Sequence, residues 1–297
     1  RLLSARVRAA FVEALRVREL VKVEQANAEL ARSLADVALK RLESGAVAQM
    51  EVNLAQVQVG RAERDLRLAE GAYEVARTAL AEVVGLDPAQ PPVLDGELDL
   101  PQREIPLLTE LLAVAEEHRA DLRSFRSASE AARARIELAR RQAVPNLEIE
   151  AFYGREDGTD RLLGGGFNIR IPIFNRNQGR VEEARAGLRQ AEAETEATEI
   201  QVRQEVAASL ARYRATRAAG VNLRQLVLGT LEENLRLLQR SFEAGKTGWT
   251  DVLVFRREFV DVQRDYIETL TDARLAGIEL DLASGVAPVL TQKEAQR

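Results

Sequence analysis

Cysteine is absent from the 297 residues, and histidine and methionine occur once each. Without thiols the chain can form no disulfide, perform no thiolate catalysis and build no cysteine-based zinc site. One imidazole and one thioether supply too little nitrogen and sulfur for a dedicated transition-metal centre, so neither a metal nor a cofactor is expected. His118, set among charged neighbours in a helical pattern, reads as an ordinary exposed or packed side chain. Aromatic residues make up only 4% of the chain. A single globular core of this size draws more on Phe, Tyr and Trp. Abundant Ala, Leu, Val, Glu and Arg point instead to long helices meeting along thin seams, and to an elongated chain. No apolar run reaches 18 residues, so no transmembrane helix is expected. Arg1 already sits inside a helical pattern without a preceding signal segment, which reads as a chain whose true start lies upstream.

The net charge of −5, with Arg dispersed among Glu, leaves no basic stripe to neutralise a phosphate backbone, which excludes nucleic acid as a partner. No phosphate-cradling loop, nucleophile–His pair or metal-ligand spacing is present, so an enzyme is not expected. Gly164, Gly165 and Gly166 fall inside a strand pattern rather than between a strand and a helix, and read as flexibility of a barrel strand or turn.

What the chain does contain is a repeat. Leu42-Glu43-Ser44-Gly45 and Phe242-Glu243-Ala244-Gly245 lie 200 residues apart, and Val52, Arg64, Asp65, Ala76, Leu80 and Gly85 recur as Val252, Arg264, Asp265, Ala276, Leu280 and Gly285. Downstream of each turn glycine, apolar positions alternate steps of three and four. Val52, Ala55, Val59, Ala62 and Leu66 begin one series, and Val252, Phe255, Phe259, Val262 and Tyr266 the other. That 3.5-residue period keeps one stripe facing a partner only if the helices supercoil left-handedly. Upstream arms match: Ala28, Ala31, Ala35, Ala38 and Leu42 in one copy, Leu228, Leu231, Leu235, Leu238 and Phe242 in the other. Gly45 and Gly245 are therefore expected to join antiparallel helices, since a tight helix-to-helix turn commonly needs a residue at positive φ. From Asn175 to Ala244 runs a helical stretch of about 105 Å at 1.5 Å per residue, with Gly179, Gly187, Gly220 and Gly229 as candidate bends.

Between the copies the character changes. Pro88, Pro91, Pro92, Pro101 and Pro106 make residues 86–106 a linker, because proline lacks the amide donor and clashes with the preceding turn. A helix is expected over 107–144, ended by Pro145. The period then becomes two: Leu147, Ile149, Ala151 and Tyr153 share one face, and after a turn-rich stretch Phe167, Ile169, Ile171 and Ile173 alternate with Asn168, Arg170 and Pro172. This predicts a β-hairpin over 145–174. Strands of about ten residues with one apolar face suit a tilted outer-membrane barrel, and the pattern alone equally allows a two-stranded ribbon against a protein surface. The second helical hairpin is expected over 175–285, the first over 1–85, and a tail over 286–297.

The run GGGFNIRIPIFNRNQG, residues 164–179, followed by Val181-Glu182-Glu183-Ala184-Arg185, resembles outer membrane efflux proteins of the TolC-like kind, most of all the cobalt, zinc and cadmium resistance branch. The turns SFEAGKTGWTDVL and RLESGAVAQMEV are similar to the family's two tip turns. The resemblance spans nearly the whole chain, and PIFNRNQG is its most specific part. It implies a mainly α fold, with long antiparallel coiled-coil hairpins in two repeats and a β-hairpin contributing to a trimeric outer-membrane β-barrel. It also implies a homotrimer meeting outer-membrane lipid, a periplasmic adaptor and an inner-membrane pump, and acting as a passive duct for metal cations or other small toxic compounds. Gly45, Ala46, Gly245 and Lys246 would form the adaptor-docking tip. Asp251 aligns with an aspartate that rings the closed pore in relatives, and Glu51 holds the equivalent place in the first repeat. A second aspartate of some relatives is replaced by Val254, and the basic residue and tyrosine of the family's tip lock by Thr247 and Phe242. Read from position alone, Asp251 is also a first-turn acid stabilised by the helix dipole by about 0.3–1 kcal/mol. The family's other hairpin would fall upstream of residue 1. A pore-free periplasmic adaptor or coiled-coil scaffold is the alternative reading of the same long hairpins.

Overall fold

The computed structural model describes residues 1–156, 160–169, 174, 176–225 and 229–286. Arg170, Ile171, Pro172, Ile173, Asn175, Leu228 and the tail from 287 onward lie outside the described residues. The chain is mainly helical with one β-hairpin: α1 (Leu2–Glu43), α2 (Gln49–Val84), α3 (Leu108–His118), α4 (Ala120–Arg141), β1 (Leu147–Glu156), β2 (Asp160–Ile169), α5 (Gln178–Leu223), α6 (Gly229–Glu243) and α7 (Trp249–Ala283). None of the described helices is long and apolar enough to cross a membrane. Two compact units form, one from residues 1–115 with the chain from 205 onward, the other from residues 116–204.

In the larger unit the two-hundred-residue repeat is visible in the backbone. α1 ends at Glu43 and α6 at Glu243, and α2 starts at Gln49 and α7 at Trp249. The same hydrogen bonds close both turns: Gly45 N donates to Leu42 O (2.8 Å) and Ala46 N to Arg41 O (2.8 Å), as Gly245 N does to Phe242 O (3.0 Å) and Lys246 N to Ser241 O (2.9 Å). This pair of bonds satisfies the last carbonyls of a helix only if the residue after the cap is left-handed, and Gly45 (φ 75°) and Gly245 (φ 72°) supply that conformation without a Cβ penalty.

Along the first hairpin the seam is narrow because it is built largely of alanine. Ala28, Ala31 and Ala38 of α1 and Ala55 and Ala62 of α2 are buried, letting the two backbones approach closely. Toward the other end the core widens, with Val12, Leu15, Leu80, Ile267, Leu270 and Ile278 joined by Leu94 and Leu98 from the segment between the repeats.

Two helical expectations changed in detail. The stretch predicted as one helix over 107–144 breaks at Arg119, whose backbone is extended (φ −72°, ψ 123°) and caps α4. The long second-repeat arm is continuous through Gly179, Gly187 and Gly220 over the 46 residues of α5, and the 15 residues of α6 begin at Gly229 beyond residues 226–228, which lie outside the described residues. Glycine weakens a helix by only about 1 kcal/mol, which surrounding packing readily offsets.

In the smaller unit α4 runs antiparallel to the start of α5. Arg126 pairs with Glu199 (2.9 Å) and Arg133 with Glu192 (2.9 Å), stepping seven residues in opposite directions. Between these pairs Ser129 Oγ donates to Ala191 O (3.1 Å) and lies 2.9 Å from Thr195 Oγ1. Small side chains there bring the helices together, and the charges set their register. β1 and β2 pair antiparallel with Leu147 opposite Ile169, Ile149 opposite Phe167 and Tyr153 opposite Leu163. Phe152 faces Gly164, and a side chain at Gly164 would overlap its ring, so this glycine serves cross-strand packing rather than the flexibility expected of it.

Candidate functional site: the paired hairpin tips and the exposed strand face

Gly45 and Gly245 come together. A Cβ built on Gly245 would stand 3.9 Å from Arg41 Nη2, on the arm leading to Gly45. Just inside the two turns, Leu34, Ala38, Val52, Ala55, Phe242, Trp249 and Val252 form one buried cluster drawn from both repeats. Phe242 is its centre and is fully buried. Its ring lies 5.6 Å from that of Trp249 at 49°, and the Arg41 guanidinium sits 4.9 Å from the ring centre. Such aromatic and cation–π contacts contribute about 0.5–1.5 and 0.5–2 kcal/mol.

The polar atoms around this cluster are incompletely satisfied. Arg41 Nη1 stands 3.8 Å from Glu51 Oε1, close enough to pair electrostatically, and neither atom has a hydrogen-bond partner; nor does Trp249 Nε1. A buried donor or acceptor left in this way costs about 1–3 kcal/mol. The two turns are therefore held together by apolar packing around several polar groups that have no hydrogen-bond partner.

Glu51 and Asp251, equivalent in the repeat, differ in surroundings. Glu51 is partly buried beside Arg41 in the first turn of α2. Asp251 is exposed in the first turn of α7 and has no ion pair among the described residues. Thr247 lies in the turn and Val254 is exposed on α7, whereas Phe242 takes the cation of Arg41 from the first hairpin. Arg41 and Trp249 were not singled out from sequence. Trp249 is the chain's single tryptophan, three residues beyond Lys246, and that isolation was the available signal.

Midway along the hairpins a second polar cluster joins the repeats. Glu24, buried on α1, accepts from Arg264 Nε (3.1 Å) and Nη2 (2.5 Å) of α7 and from Asn27 Nδ2 (3.3 Å). Nearby Arg256 donates to Gln58 Oε1 (3.1 Å), and burial pushes its guanidinium down from the usual value against the opposing pull of Glu24 and Asp65.

On the β-hairpin, Leu147, Ile149, Tyr153, Leu163, Phe167 and Ile169 share one face through their pairing, and every one is exposed, Ile149 and Phe167 at 79%. The opposite face carries Glu148, Glu150, Asn168, Gly154, Gly164 and Gly166 together with the exposed side chains of Phe152 and Leu162, with Asn168 donating to Glu148 (3.3 Å). An apolar face bare over two ten-residue strands, backed by a mixed one that holds the hairpin's carboxylates and amide, suits a membrane-facing barrel strand.

Twin helical hairpins with adjoining tips and a two-faced strand pair define an outer-membrane channel class of protein. The chain belongs to the outer membrane efflux protein family, whose profile matches residues 111–286. The family sets it in the outer membrane with a helical periplasmic part, and family and fold are those of channel proteins rather than enzymes. It is 28% identical over 283 residues to the cobalt-zinc-cadmium resistance protein CzcC of Cupriavidus metallidurans, covering 95% of this chain and 67% of that protein. It is 27% identical over 293 residues to the protein CyaE of Bordetella pertussis, covering 95% of this chain and 61% of CyaE. The chain thus spans about two thirds of the length of these relatives. The outer membrane protein VceC of Vibrio cholerae has the same fold, with a TM-score of 0.78 at 23% identity over 96% of this chain and 70% of VceC.

Proposed function

We propose that the full-length protein is the outer-membrane duct of a tripartite efflux system, a homotrimer through which metal cations or other small toxic compounds leave the cell. The observation that carries this reading is the joining of two equivalent helical hairpins near their tips, with Arg41 of the first reaching the turn at Gly245 and Phe242 packed among residues of both. Such a four-helix layer can be one third of a tube wall. Its free edge supports the trimer: Met50, Leu54, Val57, Leu68 and Val75 of α2 are exposed, at heptad-related spacings that suit the edge helix of another copy. The apolar hairpin face around Ile149, Tyr153, Phe167 and Ile169 would meet outer-membrane lipid.

In this reading Gly45, Ala46, Gly245 and Lys246 dock the periplasmic adaptor that links the duct to an inner-membrane pump. Asp251, exposed and unpaired among the described residues, forms the pore constriction with its two symmetry copies. Glu51 adds a weaker contribution because Arg41 offsets its charge. Three carboxylates around a narrow passage repel one another and attract cations, which restricts the pore and lets bound cations block it. CzcC, by its name a cobalt-zinc-cadmium resistance protein, supports metal cations as cargo. No group of three or more His, Asp or Glu able to hold a metal occurs among the described residues, and a passive duct needs none.

The test is planar-bilayer conductance of the full-length protein alongside its native mass. A trimer with steady ion conductance is expected, and Asp251→Ala should raise that conductance and weaken block by multivalent cations. A monomer, or a protein that never conducts, would overturn the duct. Unchanged conductance and block in Asp251→Ala would remove the carboxylate ring.

A further inference from the structure

The run PIFNRNQG, residues 172–179, lies where the chain passes from the β-hairpin into α5. Its described side chains build the junction. Asn177 is the single non-glycine residue at positive φ among the described residues (62°), a conformation that asparagine tolerates better than most. Its Nδ2 donates to Ala139 O (2.8 Å) near the end of α4. The Gln178 amide braces the approach with both of its ends: Oε1 accepts from Arg176 N (2.7 Å) and Nε2 donates to Phe174 O (3.4 Å). The end of α4 therefore lies beside the start of α5, and Phe174 is left 91% exposed. Beyond α4 the backbone turns tightly, Ala143 N donating to Arg140 O (3.1 Å) and Val144 N to Arg141 O (3.0 Å), and β1 begins at Leu147.

Four arginines gather at this junction: Arg140 and Arg141 in the last turn of α4, Arg176 just before α5 and Arg180 in its first turn. Neither 138–146 nor 174–181 contains an acid, in a chain whose net charge is −5. Glu137, one turn back, is shared by two of the arginines, 3.9 Å from Arg140 and 3.3 Å from Arg141. Arg176 and Arg180 are exposed and have no ion pair among the described residues. Arg140 and Arg141 are adjacent on a helix of 3.6 residues per turn, so they point about 100° apart and cover neighbouring sides of the junction. Glu148, the first carboxylate of β1, lies on the face away from Leu147 and accepts from Asn168.

The junction stands at the foot of the apolar strand face, where Leu147 pairs with Ile169 as the first pair of the ladder. Ten residues at about 3.3 Å each, tilted by about 40°, rise about 25 Å, the height of the apolar band of an outer-membrane barrel. Headgroups add about 5–7 Å beyond the hydrocarbon on each side. A guanidinium just below Leu147 and Ile169 therefore falls among headgroups, its stem along hydrocarbon and its head free to reach a phosphate. Arginine suits that contact because its planar fork meets two phosphate oxygens at once. An exposed aromatic side chain such as Phe174 belongs at the same level, where barrels carry their aromatic girdles. The helical part of the family is periplasmic, so the leaflet concerned is the periplasmic one, which is built of glycerophospholipid.

We propose that Arg140, Arg141, Arg176 and Arg180, together with Phe174, form a collar that binds the phosphates of anionic phospholipid in the periplasmic leaflet of the outer membrane. The inference rests on the reading that the hairpin's apolar face meets lipid. That face gives no headgroup preference of its own, because hydrocarbon is the same beneath every headgroup. The collar supplies the preference and sets the depth at which the hairpin sits.

The experiment places the full-length protein in phosphatidylcholine vesicles carrying a trace of spin-labelled phosphatidylglycerol or spin-labelled phosphatidylcholine, and reads the fraction of each that the protein immobilises. One basic side chain near an anionic lipid strengthens the contact about fivefold. Averaged over all boundary lipid, phosphatidylglycerol should be favoured about two- to threefold. The advantage should shrink as salt rises from about 0.15 to 1 M, which shortens the screening length from about 8 to 3 Å. The quadruple variant Arg140→Gln, Arg141→Gln, Arg176→Gln and Arg180→Gln should immobilise both lipids equally. A variant losing the same charge from exposed arginines of α2, α6 and α7 (Arg61→Gln, Arg67→Gln, Arg236→Gln and Arg257→Gln) should keep the parent's preference. Equal immobilisation by the parent, a preference that survives the quadruple change, or one lost equally in the second variant overturns the collar. If the quadruple variant does not fold, the pairs Arg140→Gln with Arg141→Gln and Arg176→Gln with Arg180→Gln are read separately, and an undiminished preference in both is equally fatal. If the parent immobilises neither lipid, the lipid-facing reading of the hairpin falls together with the collar, whereas equal immobilisation of the two removes the collar alone.

Discussion

Replacing Phe242 separates the packing that closes the tip from the packing that holds the rest of the hairpins. Phe242→Leu keeps an apolar side chain but removes the ring that meets Trp249 at 5.6 Å and Arg41 at 4.9 Å. Taking about 0.5–1.5 kcal/mol for the aromatic pair and about 0.5–2 kcal/mol for the cation–π contact gives a loss of about 1–3 kcal/mol. Phe242→Ala adds a cavity at a fully buried site and should cost about 3–5 kcal/mol. At about 1.4 kcal/mol per factor of ten, amide exchange by local opening should rise by roughly 5–150-fold for Leu and by more than 100-fold for Ala. The rise should be confined to the tip arms, near residues 34–55 and 238–256. The distant cluster around Leu15, Leu80 and Ile267 should keep its protection, because no member of it touches the tip cluster. Hydrogen-exchange mass spectrometry of the three proteins reads this directly. Exchange that rises evenly along all four helices, or not at all, would refute the idea that Phe242 closes a locally weak tip.

Three further outcomes follow from other parts of the structure. At Gly220 a Cβ would stand 2.6 Å from Leu100 Cδ2, so Gly220→Ala should destabilise the native protein by about 1 kcal/mol or more; in a Leu100→Ala background it should stabilise by about 1 kcal/mol through helix propensity alone, a reversal of sign readable by denaturant unfolding. Glu24 is buried while Arg264 is about 43% exposed, so Arg264→Leu should cost about 3 kcal/mol by stranding a carboxylate, whereas Glu24→Leu should cost clearly less because Arg264 can turn to water; equal losses in chemical denaturation would contradict this. The Arg119 side chain, opposed by slight burial and aided by the Leu122 amide, holds the Asp121 carboxyl below its ordinary value. Because the native pKa is depressed, the stabilisation over Asp121→Asn should be present above about pH 4 and fade as pH falls through the native value. Solvent exposure limits it to about 0.5 kcal/mol, and a difference in melting temperature that persists undiminished at low pH would reverse the assignment.

How much was legible beforehand differs between elements. The turns at Gly45 and Gly245 were readable because left-handed backbone is a local steric demand that few other residues meet. The alternation of the strands was readable because a two-residue period sets which side chains share a face, whereas the register that puts Ile149 opposite Phe167 came from the structure. The same local logic failed for the long arms. Helical periodicity runs unbroken through Arg119 and carries no mark of the extended backbone there. Gly220, a candidate bend, stays helical with Leu100 packed against it. Phe242 was legible as a heptad position and as a departure from the family's lock, but its cation partner Arg41 was not.

The sequence by itself determined the mainly helical class, the two hairpins, their turn residues and the alternation of the strands, since each follows from steric preferences and periodicities within a few residues. Only the tertiary structure decided that Arg41 meets Phe242, that Glu51 is held beside a cation while its repeat counterpart Asp251 is left exposed, and that arginines on four helices bind the carbonyls of residues 91–106. Those pairings join groups as far as about 200 residues apart in the chain. Heptad patterns specify that two faces can meet but not which charged or aromatic side chains end up opposite one another, and that choice is made by packing.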